Sequence, residues 1–409
     1  MKKELFDILK ERGYVKDLTH EKEIRNLING KPMTFYLGID PTADSLHIGH
    51  FFALTLFRWL QDFGHRGIIL IGGATALIGD PTGKSDMRKM LSQEEVKHNK
   101  IEVKQLVKRF VKTSGDNPAI IVDNADWICD KTYVNFMRDV GVHFNVNMML
   151  SSECYKKRLE SGGLTFLEMG YMLMQAFDFV HLNKEFGCKL QIGGSDQWGN
   201  ILAGSNLSRK IGFSEGKKIE PLFGMVCPLL LKADGEKMGK TASGTLWVSR
   251  NKTTPFEFFQ SWINSYDEDV ERSLAFFTRI DMNEIKNLCK KGIRQAKELL
   301  AFEVTKLVHG KEEAEKARDT ARSLFSGNIL INDIPTKEIN IDNYILLIDL
   351  LVLCSLAKSK TEAKRLILQN GIKIDGEKEK NIDKIIKISN REIVIQKGKK
   401  CFIKIRFVK

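Results

Sequence analysis

The sequence contains no pair of cysteines at CxxC spacing. Its seven cysteines are scattered over positions 129, 154, 188, 227, 289, 354 and 401. Structural zinc sites and disulfide frameworks use cysteines that recur at short, regular spacings. The distribution therefore argues against both kinds of framework, and it predicts reduced, mostly buried thiols.

The sequence also lacks an apolar run of the about 20 residues that a bilayer span requires. The longest runs cover residues 67–79 and 344–357, and Asp349 interrupts the second. The first residues, MKKELFDILKERG, contain acidic side chains early and no small-residue cleavage site, so they predict an amphipathic helix and neither a signal nor a transit peptide. We therefore expect a cytoplasmic protein without a membrane partner.

A complete P-loop is missing as well. The run GDPTGKS ends like one, but GxxxxGK[ST] needs glycine five residues before Gly83, where Ile78 stands. This excludes the P-loop kinase interpretation. A glycine- and proline-rich loop remains, which carries Asp80, Lys84 and Arg88; a solvated turn is the alternative reading of these residues.

The composition that is present is that of a soluble globular protein, with 43% hydrophobic and 28% charged residues. A chain of 409 residues should divide into two or three domains. Of the formal net charge of +12, residues 343–409 hold 16 Lys/Arg against 7 Asp/Glu, which is +9 and leaves +3 for the rest. A small basic module at one end indicates a polyanionic partner.

Apolar and helical patterns alternate along the first half of the chain. The apolar runs cover 33–39, 67–72, 119–122 and 189–192, and the helical patterns cover 47–63, 93–113, 131–140 and 165–182. This alternation predicts the α/β class, with a doubly wound, Rossmann-like parallel sheet. Glycines follow the strands at Gly38, Gly72-Gly73 and Gly193-Gly194, where loops shape the crevice of such a sheet.

From Pro255 to about Gly327 the pattern is wholly helical, and Asp281-x-x-Glu284 is a candidate capping box. We predict an α/β domain over 1–246, an α-helical domain over 247–327, a linker over 328–342 and a small basic α+β domain over 343–409.

The run YLGIDPTADSLHIGH, residues 36–50, predicts a strand, a tight loop and a helix start in succession. His47 and His50 share one face of the first helical turn, and Gly49 lets a flat base approach the backbone. The free N–H groups and the helix dipole favour phosphate there. Two surface histidines or half a metal site are the alternatives. Zinc would need further ligands at short spacing, and none follow, so we predict a nucleotide site without protein-bound metal.

Tyr171, Gln175 and Asp178 fall at i, i+4 and i+7 of one predicted helix, hence along one stripe. Their neighbours are apolar nearly all round the helix, which suggests that the polar stripe is enclosed too. A stripe that faces water is the alternative. An enclosed polar set needs a polar partner.

Three motifs in this order resemble those of one family. His47-Ile48-Gly49-His50 after Asp40-Pro41-Thr42 resembles the ATP signature of the class I aminoacyl-tRNA synthetases. The preceding Tyr36-x-Gly38-x-Asp40 resembles the bacterial-type tyrosyl-tRNA synthetases. Lys237-Met-Gly-Lys-Thr241 looks like the second class I signature, usually KMSKS, with Gly239 and Thr241 in place of two serines. The exchange puts a direct contact by residue 239 in doubt, and alone this motif could be a charged surface loop.

The end of the chain carries a further resemblance, so that the likeness covers essentially the full length. The stretch from Ser359 to Gly376 is similar to the small αL RNA-binding domain shared with a ribosomal small-subunit protein. Its helix bears Lys364 and Arg365, which would present cations to phosphates. A solvated lysine-rich surface is the alternative.

The resemblance implies a reaction and its site residues. Tyrosine is activated by ATP, with Mg²⁺ carried on the nucleotide, and is then transferred to tRNA(Tyr); family members are homodimers. The implied catalytic residues are Thr42, His47, His50, Lys84, Arg88, Lys237, Lys240 and Thr241. Tyrosine would be bound by Tyr36, Asp80, Tyr171, Gln175, Asp178 and Gln197. ATP would be bound by Gly38, Asp40, Gly49, Gly194, Asp196 and Lys240.

Two alternatives stay open. One is a tryptophanyl relative, against which Asp178 with Tyr36 speaks, because an indole does not need that phenol partner pair. The other is an RNA-binding or splicing protein on a synthetase scaffold that has lost catalysis. Intact His47, His50 and both signature lysines argue against that loss.

Overall fold

The structure is a computed structural model that describes residues 3–82, 90–214, 216, 220–241, 244–326, 336–341, 344–354, 356–387, 392–398 and 401–408. The chain divides into two compact units, Met1–Leu231 and Lys232–Lys409. The first unit thus ends before residue 246, where we predicted the end of the α/β domain. The other predicted boundary, between the helical domain and the linker at 327/328, stays a prediction.

The first unit is an α/β domain. Its strands are β1 (Asp17–Leu18), β2 (Thr34–Ile39), β3 (Arg66–Ile71), β4 (Ile120–Asp123), β5 (Cys188–Gly194) and β6 (Phe223–Cys227). Its helices are α1 (Leu5–Glu11), α2 (Glu21–Asn29), α3 (Ile48–Asp62), α4 (Thr75–Ile78), α5 (Gln93–Phe110), α6 (Ala125–Ile128), α7 (Tyr133–Asp139), α8 (Val146–Leu150), α9 (Glu153–Ser161), α10 (Phe166–Phe186) and α11 (Trp198–Ser214), with 3-10 turns at Gly141–His143 and Ser195–Gln197.

The strands form one sheet in the order β1-β6-β5-β2-β3-β4 within the described part of the unit. Strands β2 to β6 pair in parallel, and β1 joins β6 antiparallel. The chain runs outward from β2 through β3 to β4 and returns to β5 on the other side of β2. This is the predicted doubly wound sheet, and its topological switch point, where such folds bind ligands, lies between β2 and β5.

Helix α10 packs against this sheet. Phe179 and Leu182 belong to the buried cluster that also contains Tyr36 of β2 and Ile68 of β3. Along its other side, Met172 and Ala176 pack into a second cluster with the segment from α7 to α9. Because α10 is apolar on both of these sides, it is buried between the two clusters. No helix among the described residues is long and apolar enough to cross a membrane.

The second unit starts with a short hairpin and a set of helices. The hairpin strands are β7 (Lys240–Thr241) and β8 (Gly244–Thr245), and the helices are α12 (Pro255–Ile263), α13 (Asp267–Phe277), α14 (Met282–Lys291), α15 (Ile293–His309) and α16 (Lys311–Ser326). As predicted, α14 begins after Asp281, whose side chain accepts a hydrogen bond from the backbone N–H of Asn283 at 2.8 Å; this is a simple N-cap and not the predicted capping box with Glu284.

The C-terminal module of this unit is α+β. Its strands are β9 (Thr336–Asn340), β10 (Tyr344–Leu346), β11 (Ile372–Ile374), β12 (Glu377–Lys378), β13 (Ile385–Lys387), β14 (Ile393–Lys397) and β15 (Cys401–Val408), and its helices are α17 (Leu347–Leu353) and α18 (Lys360–Leu368). Five strands form a sheet in the order β12-β11-β14-β15-β9, and β10 pairs with β13.

One boundary in this module differs from the sequence prediction. We predicted a linker over residues 328–342, yet Thr336–Asn340 form β9, which pairs in parallel with β15. Ile339 is buried in the same cluster as Leu347 and Ile405. The partner strand lies more than 60 residues further along the chain, so the local pattern could not reveal the pairing. The module begins by residue 336, not at 343.

Candidate active site

The first signature lies where β2 gives way to α3. His47 is the N-cap of α3, and its Nδ1 accepts hydrogen bonds from the backbone N–H groups of Gly49 (3.1 Å) and His50 (3.3 Å). His50 Nδ1 accepts in return from the His47 N–H at 3.4 Å, and the two rings stack 3.8 Å apart. Each imidazole thus satisfies backbone donors of the first turn, which holds both rings in place. The N–H groups of Gly49 and His50 are therefore not free for phosphate, contrary to our prediction, because they donate to His47.

Gly49 has a structural role beside its predicted one. A Cβ at this position would lie 3.0 Å from Cε1 and 3.1 Å from Nδ1 of His47, closer than ordinary contact. Glycine therefore leaves room for the capping ring. At Gly38, by contrast, a Cβ would meet only a Leu70 methyl group at 4.0 Å. The protein does not itself require glycine at 38, which fits the expected approach of a ligand there.

Asp40 follows β2 and is held by two hydroxyl groups. Thr75 Oγ1 donates to Asp40 Oδ1 at 2.7 Å, and Tyr171 Oη of α10 donates to Oδ2 at 2.8 Å. A Cβ on Gly72 would lie 1.9 Å from Asp40 Oδ1, so this glycine lets the carboxylate lie against the end of β3. Asp40, predicted to bind ATP, is thereby joined to a residue predicted to bind tyrosine.

Asp178 is a buried carboxyl with two neutral donors. Asn124 Nδ2 donates to Oδ2 at 3.0 Å, and Trp127 Nε1 donates to Oδ1 at 2.8 Å. Burial raises the pKa of Asp178 from 3.8 to about 8, although these two hydrogen bonds act in the opposite direction. Asn124 also donates to Thr75 Oγ1 at 3.1 Å, so one chain of hydrogen bonds joins Asp178 to Asp40.

Three buried polar atoms around Asp178 and α10 have no hydrogen-bond partner among the described residues: Tyr36 Oη, Gln175 Oε1 and Gln191 Oε1. Burial, and next the nearby Asp178, raises the pKa of Tyr36, so its hydroxyl keeps its proton. Tyr36 and Gln191 are register partners on adjacent parallel strands, and such partners share a face of the sheet. Buried polar groups normally have partners, so this set fits a polar ligand.

The predicted enclosure of the polar stripe on α10 is confirmed for Tyr171 and Asp178, which are 6% and 2% exposed, whereas Gln175 between them is half-buried. The start of α10 is fixed by Thr165, which caps it together with Glu168. The Glu168 carboxylate also forms a buried two-point contact with Arg158, at 2.8 Å from Nε and 3.2 Å from Nη2. The helix that carries the stripe is therefore anchored at Glu168, three residues before Tyr171.

Asp80 is joined to Gln197, another residue that was predicted to bind tyrosine. Its Oδ2 accepts from Gln197 Nε2 at 2.7 Å and its Oδ1 from the Thr82 N–H at 2.9 Å. The structure thus groups Asp80 with Gln197 and groups Tyr171 with Asp40. At the end of β5, a Cβ on Gly194 would lie 2.6 Å from Asp196 Oδ1, so glycine admits this carboxylate.

The second signature belongs to the second unit. Lys237 is exposed on a turn that precedes the β7–β8 hairpin. Gly239 has φ +91°, a backbone conformation that favours glycine, and its carbonyl accepts from the Leu246 N–H at 2.6 Å. Glycine in place of serine therefore has a backbone reason. The side chains of Lys240 and Thr241, and the predicted residues Lys84 and Arg88, lie outside the described part of the chain.

The predicted RNA-binding residues lie on α18. Lys364 and Arg365 are exposed, while Ala363 and Ile367 of the same helix are buried in the module core. The helix thus packs with one face and presents its cations on the other.

Four residues of the site were not predicted from the sequence: Thr75, Asn124, Trp127 and Gln191. Asn124 follows β4, and Gln191 lies on β5. A polar residue at the carboxyl end of a parallel strand is a usable signal, and it could have found Asn124. Trp127 gave no such signal, because only the fold brings its indole to Asp178.

Comparisons with known proteins agree with this geometry. A family model described as "tRNA synthetases class I (W and Y)" matches residues 29–326, and one described as "Tyrosine--tRNA ligase SYY-like C-terminal domain" matches residues 326–405. A tyrosine–tRNA ligase of Clostridium kluyveri is 48% identical over 98% of both chains, and one of Acetivibrio thermocellus is 47% identical over 99% of both. A truncated mitochondrial tyrosyl-tRNA synthetase of Aspergillus nidulans superposes with a TM-score of 0.71, at 30% identity, over 79% of this chain and 94% of that one.

Proposed function

The chain belongs to the tyrosine–tRNA ligase family of class I aminoacyl-tRNA synthetases, and from this premise we propose how its residues carry out the two steps of that reaction. The tyrosine carboxylate attacks the α-phosphorus of MgATP, which forms tyrosyl adenylate and releases pyrophosphate. A hydroxyl of the 3′-terminal ribose of tRNA(Tyr) then attacks the tyrosyl carbonyl, and AMP leaves.

One observation carries the choice of tyrosine: the buried Asp178 lies beside the buried, unpartnered Tyr36 hydroxyl. A phenol can donate to the Asp178 carboxyl and accept from Tyr36, which satisfies both groups. Phenylalanine would leave the buried Tyr36 hydroxyl without a partner among the described residues, which costs free energy, and it would donate nothing to Asp178. An indole N–H can only donate, which disfavours the tryptophan alternative.

The amino acid's other end faces the rest of the stripe. Gln175 Oε1 is a buried acceptor without a described partner, and Tyr171 is bound to the Asp40 carboxylate. Asp80, bound to Gln197, adds a second carboxylate. These oxygens suit the ammonium group of tyrosine, which supports the predicted roles of Asp80, Tyr171, Gln175 and Gln197.

No side chain needs to act as a covalent nucleophile, because the substrate carboxylate attacks. Catalysis is then positioning plus stabilisation of the phosphoryl charge. We assign that stabilisation to the start of α3 and to the predicted cations and hydroxyls, namely Thr42, His47, His50, Lys84, Arg88, Lys237, Lys240 and Thr241. Gly38, Asp40, Gly49, Gly194 and Asp196 would border the adenosine, with Asp196 on the ribose hydroxyls.

The C-terminal module would bind the RNA. The +9 charge of residues 343–409 suits a polyanion, and Lys364 and Arg365 are exposed on α18. We place the reaction in the cytoplasm, where tRNA is charged for translation.

A homodimer is the assembly that we propose. Tyr133, Val142, Met148 and Phe166 are each 66–70% exposed, and they belong to the helices and turns around one buried cluster. Exposed apolar surface of this kind marks an interface, and a second copy fits it better than a polyanion does. Phe166→Asp should convert the protein to monomers in analytical ultracentrifugation, whereas Phe213→Asp, at another exposed phenylalanine, should not. A wild-type monomer would contradict the proposal.

Pyrophosphate exchange tests the activity directly. Purified protein is incubated with ATP, labelled pyrophosphate and each of the twenty amino acids in turn. Exchange that depends on tyrosine alone is the expected result. Exchange with tryptophan would favour the tryptophanyl alternative, and RNA binding without exchange would favour the scaffold that has lost catalysis.

A further inference from the structure

The turn that precedes Lys237 is stabilised by hydrogen bonds within it. The Lys232 N–H donates to the Glu236 carbonyl at 2.8 Å, and the Gly235 N–H donates to the Lys232 carbonyl at 3.0 Å. Asp234 Oδ1 accepts from the Glu236 N–H at 2.9 Å. These bonds give residues 232–236, named here the signature turn, a defined shape immediately before Lys237.

Two side chains at the start of α13 hold the signature turn. Asp269 is 2% exposed, and its Oδ2 accepts from the Ala233 N–H at 3.0 Å while Oδ1 accepts from Arg272 at 2.7 Å. Tyr266, the N-cap residue of α13, donates through its hydroxyl to Asp234 Oδ2 at 3.0 Å. One attachment is buried and the other lies at the surface, and both precede Lys237 by only a few residues.

A cavity of about 180 Å³ lies behind the turn. Its lining includes Met238 and Gly239 on the loop side and Trp262 on the α12 side. The Trp262 indole nitrogen is buried and has no hydrogen-bond partner among the described residues. The loop after the signature turn borders this cavity, and its position is set by the two attachments before it together with the β7–β8 pairing and the Leu246–Gly239 hydrogen bond after it.

We infer that Tyr266 and Asp269 are positioning residues for the activation step: they hold the signature turn so that Lys237 is preorganised for the charge that develops on pyrophosphate. The inference rests on the proposed function. A lysine that is mobile before the reaction stabilises the transition state less than one that is already held in position. The free energy needed to order the mobile side chain is subtracted from the stabilisation that its charge provides. The attachments should affect the rate of adenylate formation and leave tyrosine binding unchanged.

The first variant is Tyr266→Phe, which removes one hydroxyl at a half-exposed site and should fold normally. Stopped-flow measurement should show adenylate formation slowed by about threefold to tenfold, the loss of one hydrogen bond to a carboxylate, with unchanged tyrosine Kd. Asp269→Ala should slow it more. Tyr344→Phe, an exposed tyrosine of the C-terminal module, is the matched control and should behave as wild type.

A double-mutant cycle separates positioning from a general loss of structure. If Tyr266 acts through Asp234, adding Tyr266→Phe to Asp234→Ala should slow the reaction no further. Unchanged rates in both Tyr266→Phe and Asp269→Ala would overturn the inference, and so would faster rates, which would mean that the attachments restrain the turn. A wild-type protein without tyrosine-dependent exchange would refute the proposed function instead.

Discussion

The tyrosine site and the signature turn use polar side chains in opposite ways. Around Asp178 and Asp40 the hydrogen bonds are buried or partly buried, and they join strand ends to α4 and α10. In the signature turn Asp234 is exposed, as is Lys237 directly after it, and Tyr266 at the start of α13 is half exposed. Burial makes every unmet hydrogen bond costly, which suits selection of one amino acid. Exposure leaves the Lys237 ammonium group accessible to a charge that exists only during the reaction.

Lys237→Ala should give the largest effect, because it removes a charge that acts in the transition state. Adenylate formation should slow by about 10²- to 10³-fold while tyrosine Kd stays near wild type. Pre-steady-state fluorescence separates the two quantities. Lys290→Ala, an exposed lysine on α14, is the control. A weakened tyrosine Kd with an unchanged rate would reverse the assigned contrast.

Tyr36→Phe and Asp178→Asn test the buried region. Each should lower the ratio of kcat/KM for tyrosine over phenylalanine by about 10- to 100-fold, because each alters a hydrogen bond specific to the phenol. Exchange kinetics with both amino acids measure the ratio. Asp116→Asn, at an exposed aspartate, should keep the wild-type ratio. If Tyr36→Phe and Asp178→Asn kept it as well, the pocket assignment would be wrong.

The same contrast explains what the sequence could predict. The strands, the helix start at His47 and the enclosed stripe of α10 follow from local periodicity and residue type, and the structure contains them. Asn124 and Trp127 converge on Asp178 from more than 50 residues away, so no local pattern shows them. Asp40 was predicted for ATP by its place in a motif, whereas its contact with Tyr171 depends on how α10 crosses the sheet.

Removal of the C-terminal module tests exposed cations outside the signature turn, namely those of the proposed RNA-binding surface. Because β9 belongs to the module sheet, the cut is best made after Ser326, the last residue of α16, and not after Asp342. Tyrosine-dependent exchange should persist, since the predicted adenylate contacts lie between Tyr36 and Thr241. Aminoacylation and tRNA affinity should fall.

The salt dependence identifies the cause of that loss. Each phosphate contact removed should reduce the slope of log K against log salt by roughly 0.7 to 0.9. Filter binding at several salt concentrations measures the slope for the full chain, the truncated chain and the double variant Lys364→Ala, Arg365→Ala. Equal slopes and equal aminoacylation in these three proteins would mean that the module is only a solvated basic surface and does not bind RNA.

The smallest expected effect is on the stability of the fold, and it is measured by comparing Asp178 with Asp234. Burial raises the pKa of Asp178 to about 8 from 3.8, so the folded state binds an extra proton between these values and the free energy of unfolding falls as pH rises from about 4 to about 8. The backbone N–H of Glu236 lowers the pKa of Asp234, so that carboxylate stabilises the fold above about pH 4 and loses this effect in acid. The Tm of Asp178→Asn relative to wild type should therefore rise between pH 5 and pH 8.5. The relative Tm of Asp234→Asn should stay level over that range and change only below it. A relative Tm of Asp178→Asn that did not rise with pH would mean that the Asp178 carboxyl does not retain its proton in the folded state up to about pH 8.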